Sequence, residues 1–369
     1  MWTLTDNKDW EDLRQQFTWV RDMEGVIQDP EHHAEGDVAI HTRMVLDALL
    51  TLDGFKMLLP QDQEILWAAA LLHDVEKRST TVREEDGSVT SRGHARKGAM
   101  TTRLLLYTDY PAPFHIREQV VNLVRYHGLP LWAIEKEDPA KAVIEASLVV
   151  NTRLLAILAR ADALGRTCSD QQDLLYRIDL FEALCRENYC WGEARDFATP
   201  NSRFKYFAKK ESYADFIPFD DFGSTVILMA GLPGAGKDTH VMKHYRDWPV
   251  INLDAIRKEL KIASTDKNGN GKVIQLAKEH ARQYLRRKQN FVWDATNITR
   301  SMRDQLIELF TTYNAYVKLI YVEVPHHKLH QQNRSRDEVV PFNIVNKLVG
   351  KLDVPVPWEA HVVCYFIDE

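Results

Sequence analysis

The stretch Gly231–Thr239 reads GLPGAGKDT. It follows the apolar β-branched run TVILMA and precedes HVMKHYRDW, which has helical character. A glycine loop between a strand and a helix is a strong constraint on folding. Glycines let backbone N–H groups converge on phosphate oxygens without Cβ clashes. The helix that follows adds its positive N-terminal end. A lysine at the position of Lys237 reaches the outer phosphates of a nucleoside triphosphate. Gly234, Ala235, Gly236, Lys237, Asp238 and Thr239 are therefore the candidate nucleotide contacts. The residue after the lysine is ordinarily Ser or Thr, whose hydroxyl ligates Mg²⁺. Here it is Asp238, and a carboxylate can hold the ion directly or through water.

From Thr225 onward, strands at TVILMAG, WPVINLD, NFVWDAT, AYVKLIYVEV and HVVCYFI alternate with helices. That alternation predicts an α/β unit with a parallel sheet. Asp254, in INLDAIRKEL, falls where a strand gives way to a helix at the nucleotide edge. It either caps that helix or serves the reaction, with Arg257 one turn later. Asp294, at the end of NFVWDAT, suits a Mg²⁺-organising carboxylate or a buried structural role. Arg334 and Arg336, ahead of Pro341, suit a lid that closes on a triphosphate.

Residues 1 to about 165 predict an almost wholly helical bundle. ALLHDVEK places His73 beside Asp74 after an apolar helix. A buried His–Asp pair needs partners or a metal. His41, His94, His127 and Asp162 recur in or beside neighbouring helices. Six such residues in one bundle point to a metal cluster. The domains are expected at 1–170, with a helical bridge and connector at 171–222 and the α/β unit at 223–369.

Composition narrows the function. The formal net charge of −6 does not suit a basic nucleic-acid coat. No apolar run of about 18 residues predicts a membrane span. The N-terminal residues lack a signal-peptide pattern. The four cysteines form no CxxC pair, so free thiols in a cytoplasmic protein are expected.

The order H…HD…H…H…D over residues 30–170 resembles the HD phosphohydrolase superfamily. The resemblance implies one metal on His41, His73, Asp74 and Asp162, and a second on His94, His127 and the bridging Asp74. Lys77 and Arg166 would meet the substrate phosphate, and His33 the substrate or leaving group. Glu76 stands where that family often has Gly. The metals implied are one or two transition ions such as Mn²⁺, Co²⁺, Ni²⁺, Cu²⁺ or Zn²⁺. Residues 223–369, through GLPGAGKDT, NLDAIR, DATN and the arginines before VP, resemble the 5′-OH polynucleotide kinases of phage end repair. In that family the aspartate corresponding to Asp254 is the general base, and the arginine corresponding to Arg257 contacts the substrate phosphate. The donor would be ATP or GTP with Mg²⁺.

The domain order and size resemble the bacterial HD-Pnk end-healing enzymes. Their implied substrates are RNA or DNA ends, and the implied downstream partner is a ligase acting on the healed ends. Three alternatives differ in class. One is a small-molecule or nucleoside kinase fused to a nucleotide phosphohydrolase, and another is a nucleotide sensor without turnover. The third is a transfer-RNA repair enzyme related to nucleotidyltransferases. No nucleotidyltransferase carboxylate motif precedes residue 41 to support the third.

Overall fold

The computed structural model describes residues 1–263, 266–336 and 339–368. The chain forms two compact units, Met1–Asp196 and Phe197–Glu369.

The first unit is organised around the helix Pro60–Leu72. Every residue from Ile65 to Leu72 is buried, and a helix that is apolar all round belongs in an interior. It packs against the helices Val38–Thr51, Phe114–Tyr126 and Thr152–Leu164. The close crossing of Thr152–Leu164 over Val38–Thr51 depends on Gly165. A Cβ there would lie 2.6 Å from Val45 Cγ2 and 2.8 Å from Val45 N. The helix His94–Thr108 lies along Phe114–Tyr126. The unit is not wholly helical. VREEDGSVT forms a short antiparallel hairpin, β1 (Val82–Arg83) with β2 (Val89–Thr90). Glu84 N donates to Ser88 O at 2.9 Å to close it. Hairpin strands this short leave little periodic signal in a sequence.

The second unit is an α/β domain. Its strands are β3 (Ser224–Ala230), β4 (Val250–Asn252), β5 (Phe291–Asp294), β6 (Ala315–Glu323) and β7 (Val362–Ile367). They form one parallel sheet in the order β4-β5-β3-β6-β7. β3 is central and six of its seven residues are buried, as a strand covered on both faces requires. The strand expectations from Thr225 onward all correspond to observed strands. Within 171–222, the helix Gln171–Glu187 packs on Thr152–Leu164 in the first unit, and Pro200–Ala208 lies in the second. Among the described residues no single helix is long and apolar enough to cross a membrane.

Candidate metal centre and nucleotide site

His73 and Asp74 sit just past the C-terminal end of the buried helix Pro60–Leu72, in a turn rather than along the helix. The other candidates converge from separate elements. His41 comes from Val38–Thr51 and Asp162 from Thr152–Leu164. His94 opens its helix, and His127 closes Phe114–Tyr126. His41 Nε2 lies 3.1 Å from Asp162 Oδ1 and 3.7 Å from Asp74 Oδ2. His73 Nε2 is 3.3 Å from Asp74 Oδ2, and His94 Nε2 is 3.3 Å from Asp74 Oδ1. His127 Nε2 stands 3.3 Å from His94 Nε2 and 3.8 Å from Asp74 Oδ1. The six residues thus fall into two ligand groups, His41–His73–Asp162 and Asp74–His94–His127, with the two oxygens of Asp74 facing one group each.

Three tests of fit favour a metal. His41 Nε2, His73 Nε2 and Asp74 Oδ1 are buried with no hydrogen-bond partner, a costly state that an ion relieves. In three of the four histidines the ring nitrogen opposite the inward Nε2 is occupied. His73 Nδ1, His94 Nδ1 and His127 Nδ1 meet the carbonyls of Ala70, Ser91 and Val124 at 2.7, 2.7 and 2.8 Å. Such contacts place the proton on Nδ1 and turn a lone pair toward the centre. Mixed imidazole and carboxylate donors also suit first-row transition ions.

The electrostatics agree with ligation. Burial alone would raise the Asp74 and Asp162 carboxyls. Lys77 and His73 overcome it for Asp74, as Arg166 and His41 do for Asp162, and both stay well below the usual range. Burial, reinforced by His94, pushes His127 down to about 3. At His73 burial is outweighed by Asp74 and Asp162, so its pKa is raised.

Lys77 Nζ bridges Asp74 Oδ2 at 2.8 Å and Gln28 Oε1 at 2.7 Å. Arg166 makes a two-point contact with Asp162, at 3.1 and 2.7 Å. Both cations line a cavity of about 840 Å³ that reaches Asp74, His94 and His127, and His33 lies on its wall. His33 also contacts Glu35 Oε1 at 2.8 Å, and the same oxygen is 2.8 Å from His41 Nδ1. Glu35 is therefore the carboxylate that orients His41, a role the sequence reading did not assign. Its only sequence signal is its place between two histidines in HHAEGDVAIH. Glu76 turns away from the centre and binds Arg78, Ser79 and Thr101.

In the second unit, Gly231 (φ +147°) passes so close to β6 that a Cβ would lie 2.4 Å from Val322 O. Gly231 N donates to Thr296 O at 2.9 Å, which ties the loop to the DATN segment. The half-buried Lys237 folds back, its Nζ donating to Gly231 O and Leu232 O at 3.0 Å each. Desolvation lowers its pKa. The loop, Lys243 and Arg336 line a cavity of about 810 Å³.

Asp294 is buried at the end of β5. Burial and a hydrogen bond with Asp238 push its carboxyl up to about 7. The two carboxyls thus share one place beside Lys237, which is where a Mg²⁺ would be organised. Asn252, paired with Asp294 across β4 and β5, donates to Asp294 Oδ2 at 2.9 Å and accepts from Ala255 N at 2.9 Å. Asn252 is therefore the helix cap, and Asp254 is not. The Asp254 side chain is 58% exposed, ion-paired to Arg257 and 3.9 Å from Arg336 Nη2. Arg257 also donates to Asn270 at 2.8 Å. Arg334 is not brought to the cavity. It is exposed, and its Nε faces His330 O on its own helix at 3.3 Å.

Residues 38–167 match a family described as HD domain, and residues 226–354 match one described as AAA domain. A multifunctional CCA protein from Methylococcus capsulatus is 36% identical over 121 residues, which is 32% of this chain and 25% of that protein. The chain spans about a quarter of the length of that relative. A provisionally assigned kinase from Chloroflexus aurantiacus superposes with a TM-score of 0.33 at 16% identity, over 39% of this chain and 88% of that one. The helical unit of the chain thus matches an HD domain, and the α/β unit with its glycine loop matches an AAA domain.

Proposed function

We propose that the chain heals nucleic-acid ends. Its HD domain hydrolyses 2′,3′-cyclic phosphate and 3′-phosphate termini, and its P-loop domain transfers the γ-phosphate of a nucleoside triphosphate to a 5′-OH. The healed product, with a 3′-OH and a 5′-phosphate, is a substrate for a ligase.

In the kinase reaction the 5′-oxygen attacks the γ-phosphorus, the nucleoside diphosphate leaves, and Asp254 accepts the hydroxyl proton. Lys237 exchanges its loop carbonyls for phosphate oxygens. Arg336, already near both Lys237 and Asp254, neutralises charge on the transferring group. In the HD domain His41, His73, Asp74 and Asp162 would hold one metal, and Asp74, His94 and His127 the other. Such a pair supplies an activated water and clamps the phosphoryl oxygens. Lys77 and Arg166 receive the substrate phosphate at the mouth of the centre, and His33 faces the leaving oxygen.

The observation that carries this reading is the exposure of Asp254. A base that stands in the open, steadied by two arginines, admits a hydroxyl at the end of a long chain. A nucleoside kinase would enclose it. The test supplies 5′-OH oligonucleotides and free nucleosides with ATP or GTP and Mg²⁺. Oligonucleotides are expected to be phosphorylated, and Asp254→Ala to lose about 10²–10⁴-fold in rate. Transfer to nucleosides alone, or a full rate with Asp254→Ala, would overturn the reading.

A further inference from the structure

The cavity above the metal centre is far larger than a phosphate needs, and one wall of it is an aromatic ring with no assigned task. Trp132 lines that cavity and is 41% exposed. Its exposure does not come from a loose segment. Leu129, Leu131 and Ala133 around it are buried, and its short helix begins just two residues after His127. The Arg177 guanidinium lies 5.0 Å from the ring centroid. Arg177 is itself held by Asp173 at 2.7 Å and by Glu135. The indole is thus fixed beside a ligand of the metal centre while much of it stays open to the cavity.

The charges on the same walls point to a strand. Arg92, Arg125 and Lys136 line the cavity and are exposed. None has a carboxylate partner among the described residues; Arg125 only lies over the Tyr126 ring at 5.5 Å. The carboxylates on these walls outside the metal centre each have at least one contact of their own. Glu145 accepts from Tyr126 Oη at 3.0 Å, Asp170 lies 3.9 Å from His32, and Asp29 accepts from Glu31 N at 2.9 Å. An aromatic platform combined with unpaired cations is how proteins hold single-stranded nucleic acid without reading its sequence.

We propose that Trp132 stacks on the terminal nucleobase of a nucleic-acid 3′ end, and that Arg125, Lys136 and Arg92 hold the phosphates just upstream. This rests on the end-healing reading and adds its substrate determinant. The HD domain would then act on any terminal base, and poorly on an end that lacks one.

The test measures binding of the full-length protein, without added metal, to two fluorescent tetranucleotides bearing a 3′-phosphate. One has a normal 3′-terminal nucleotide and the other an abasic one. Hydrolysis of both is then followed with Mn²⁺. The wild type should bind the base-bearing end about tenfold more tightly. Trp132→Ala should remove that advantage without weakening the abasic ligand, and Trp132→Phe should restore most of it. Arg125→Ala, at an exposed position, should reduce the slope of log K against log[salt] by about 0.7. Equal weakening of both ligands by Trp132→Ala would assign the residue to structure and overturn the proposal. So would a wild type indifferent to the base, or an unchanged salt slope in Arg125→Ala. A wild type that binds and hydrolyses the tetranucleotide yet ignores Trp132 sinks this inference alone. One that neither binds nor hydrolyses either tetranucleotide sinks the end-healing reading with it.

Discussion

Asp74 offers one carboxylate oxygen to each ligand group, so its removal should cost more than that of any histidine. Asp74→Ala is expected to lose both ions and 3′-end hydrolysis, whereas His127→Ala should keep the ion on His41, His73 and Asp162. Metal content per chain, measured on the purified variants, checks this. The pair Asp238 and Asp294 makes a prediction about pH. Because Asp294 is raised to about 7 in the folded protein, the folded state keeps a proton that the unfolded state has already released near pH 4. The Asp294 contribution to the stability of the Mg²⁺-free protein should therefore fall as pH rises from about 4 to 7, against the rise contributed by His33, His127, His240 and His361, which burial holds well below the usual imidazole range. Thermal melts across that range should show Asp294→Asn gaining stability with pH more steeply than the wild type, and equal slopes would contradict it. The six histidines and aspartates that converge were legible in the sequence because each has its own helical context. The role of Glu35, which stands near the site by sequence beside His33, was not legible, nor was that of Asn252, because their work is to hold another side chain across an element boundary. No sequence spacing encodes the 2.8 Å contact from Glu35 to His41.

At the scale of elements, the metal centre is built from helix ends. His73, His94 and His127 all lie at termini, where backbone carbonyls of the last or preceding turn are available to fix a ring. The crossing at Gly165 sets how near Asp162 comes to His41. Gly165→Ala should push the two helices apart, destabilise the first unit by about 1–3 kcal/mol and depress hydrolysis. Phosphorylation of a 5′-OH should be unchanged. Denaturant unfolding and both activities, measured on the same preparation, check it. The main helices and all five strands of the large sheet could be read from periodicity, because burial imposes a period on long elements. The β1–β2 hairpin could not, since two-residue strands impose none. The lid arginines were legible only as a pair. The helix His326–Arg334 carries Arg334 on its own exposed side, while the chain beyond it brings Arg336 to Asp254.

For the whole molecule, the proposed end healing has two phosphate chemistries acting on opposite termini of one strand and drawing on different metals. The HD centre is rich in imidazole and favours transition ions. The P-loop site offers carboxylates beside a phosphate cradle and suits Mg²⁺. The direct measurement uses one RNA carrying both a 5′-OH and a 2′,3′-cyclic phosphate. The protein is first stripped with a tight chelator, then given a nucleoside triphosphate and Mg²⁺, and finally a transition metal. Mg²⁺ is expected to restore 5′-phosphorylation at once, while the 3′ end stays blocked until Mn²⁺, Ni²⁺ or a similar ion is added. Full recovery of both activities with Mg²⁺ alone would contradict it.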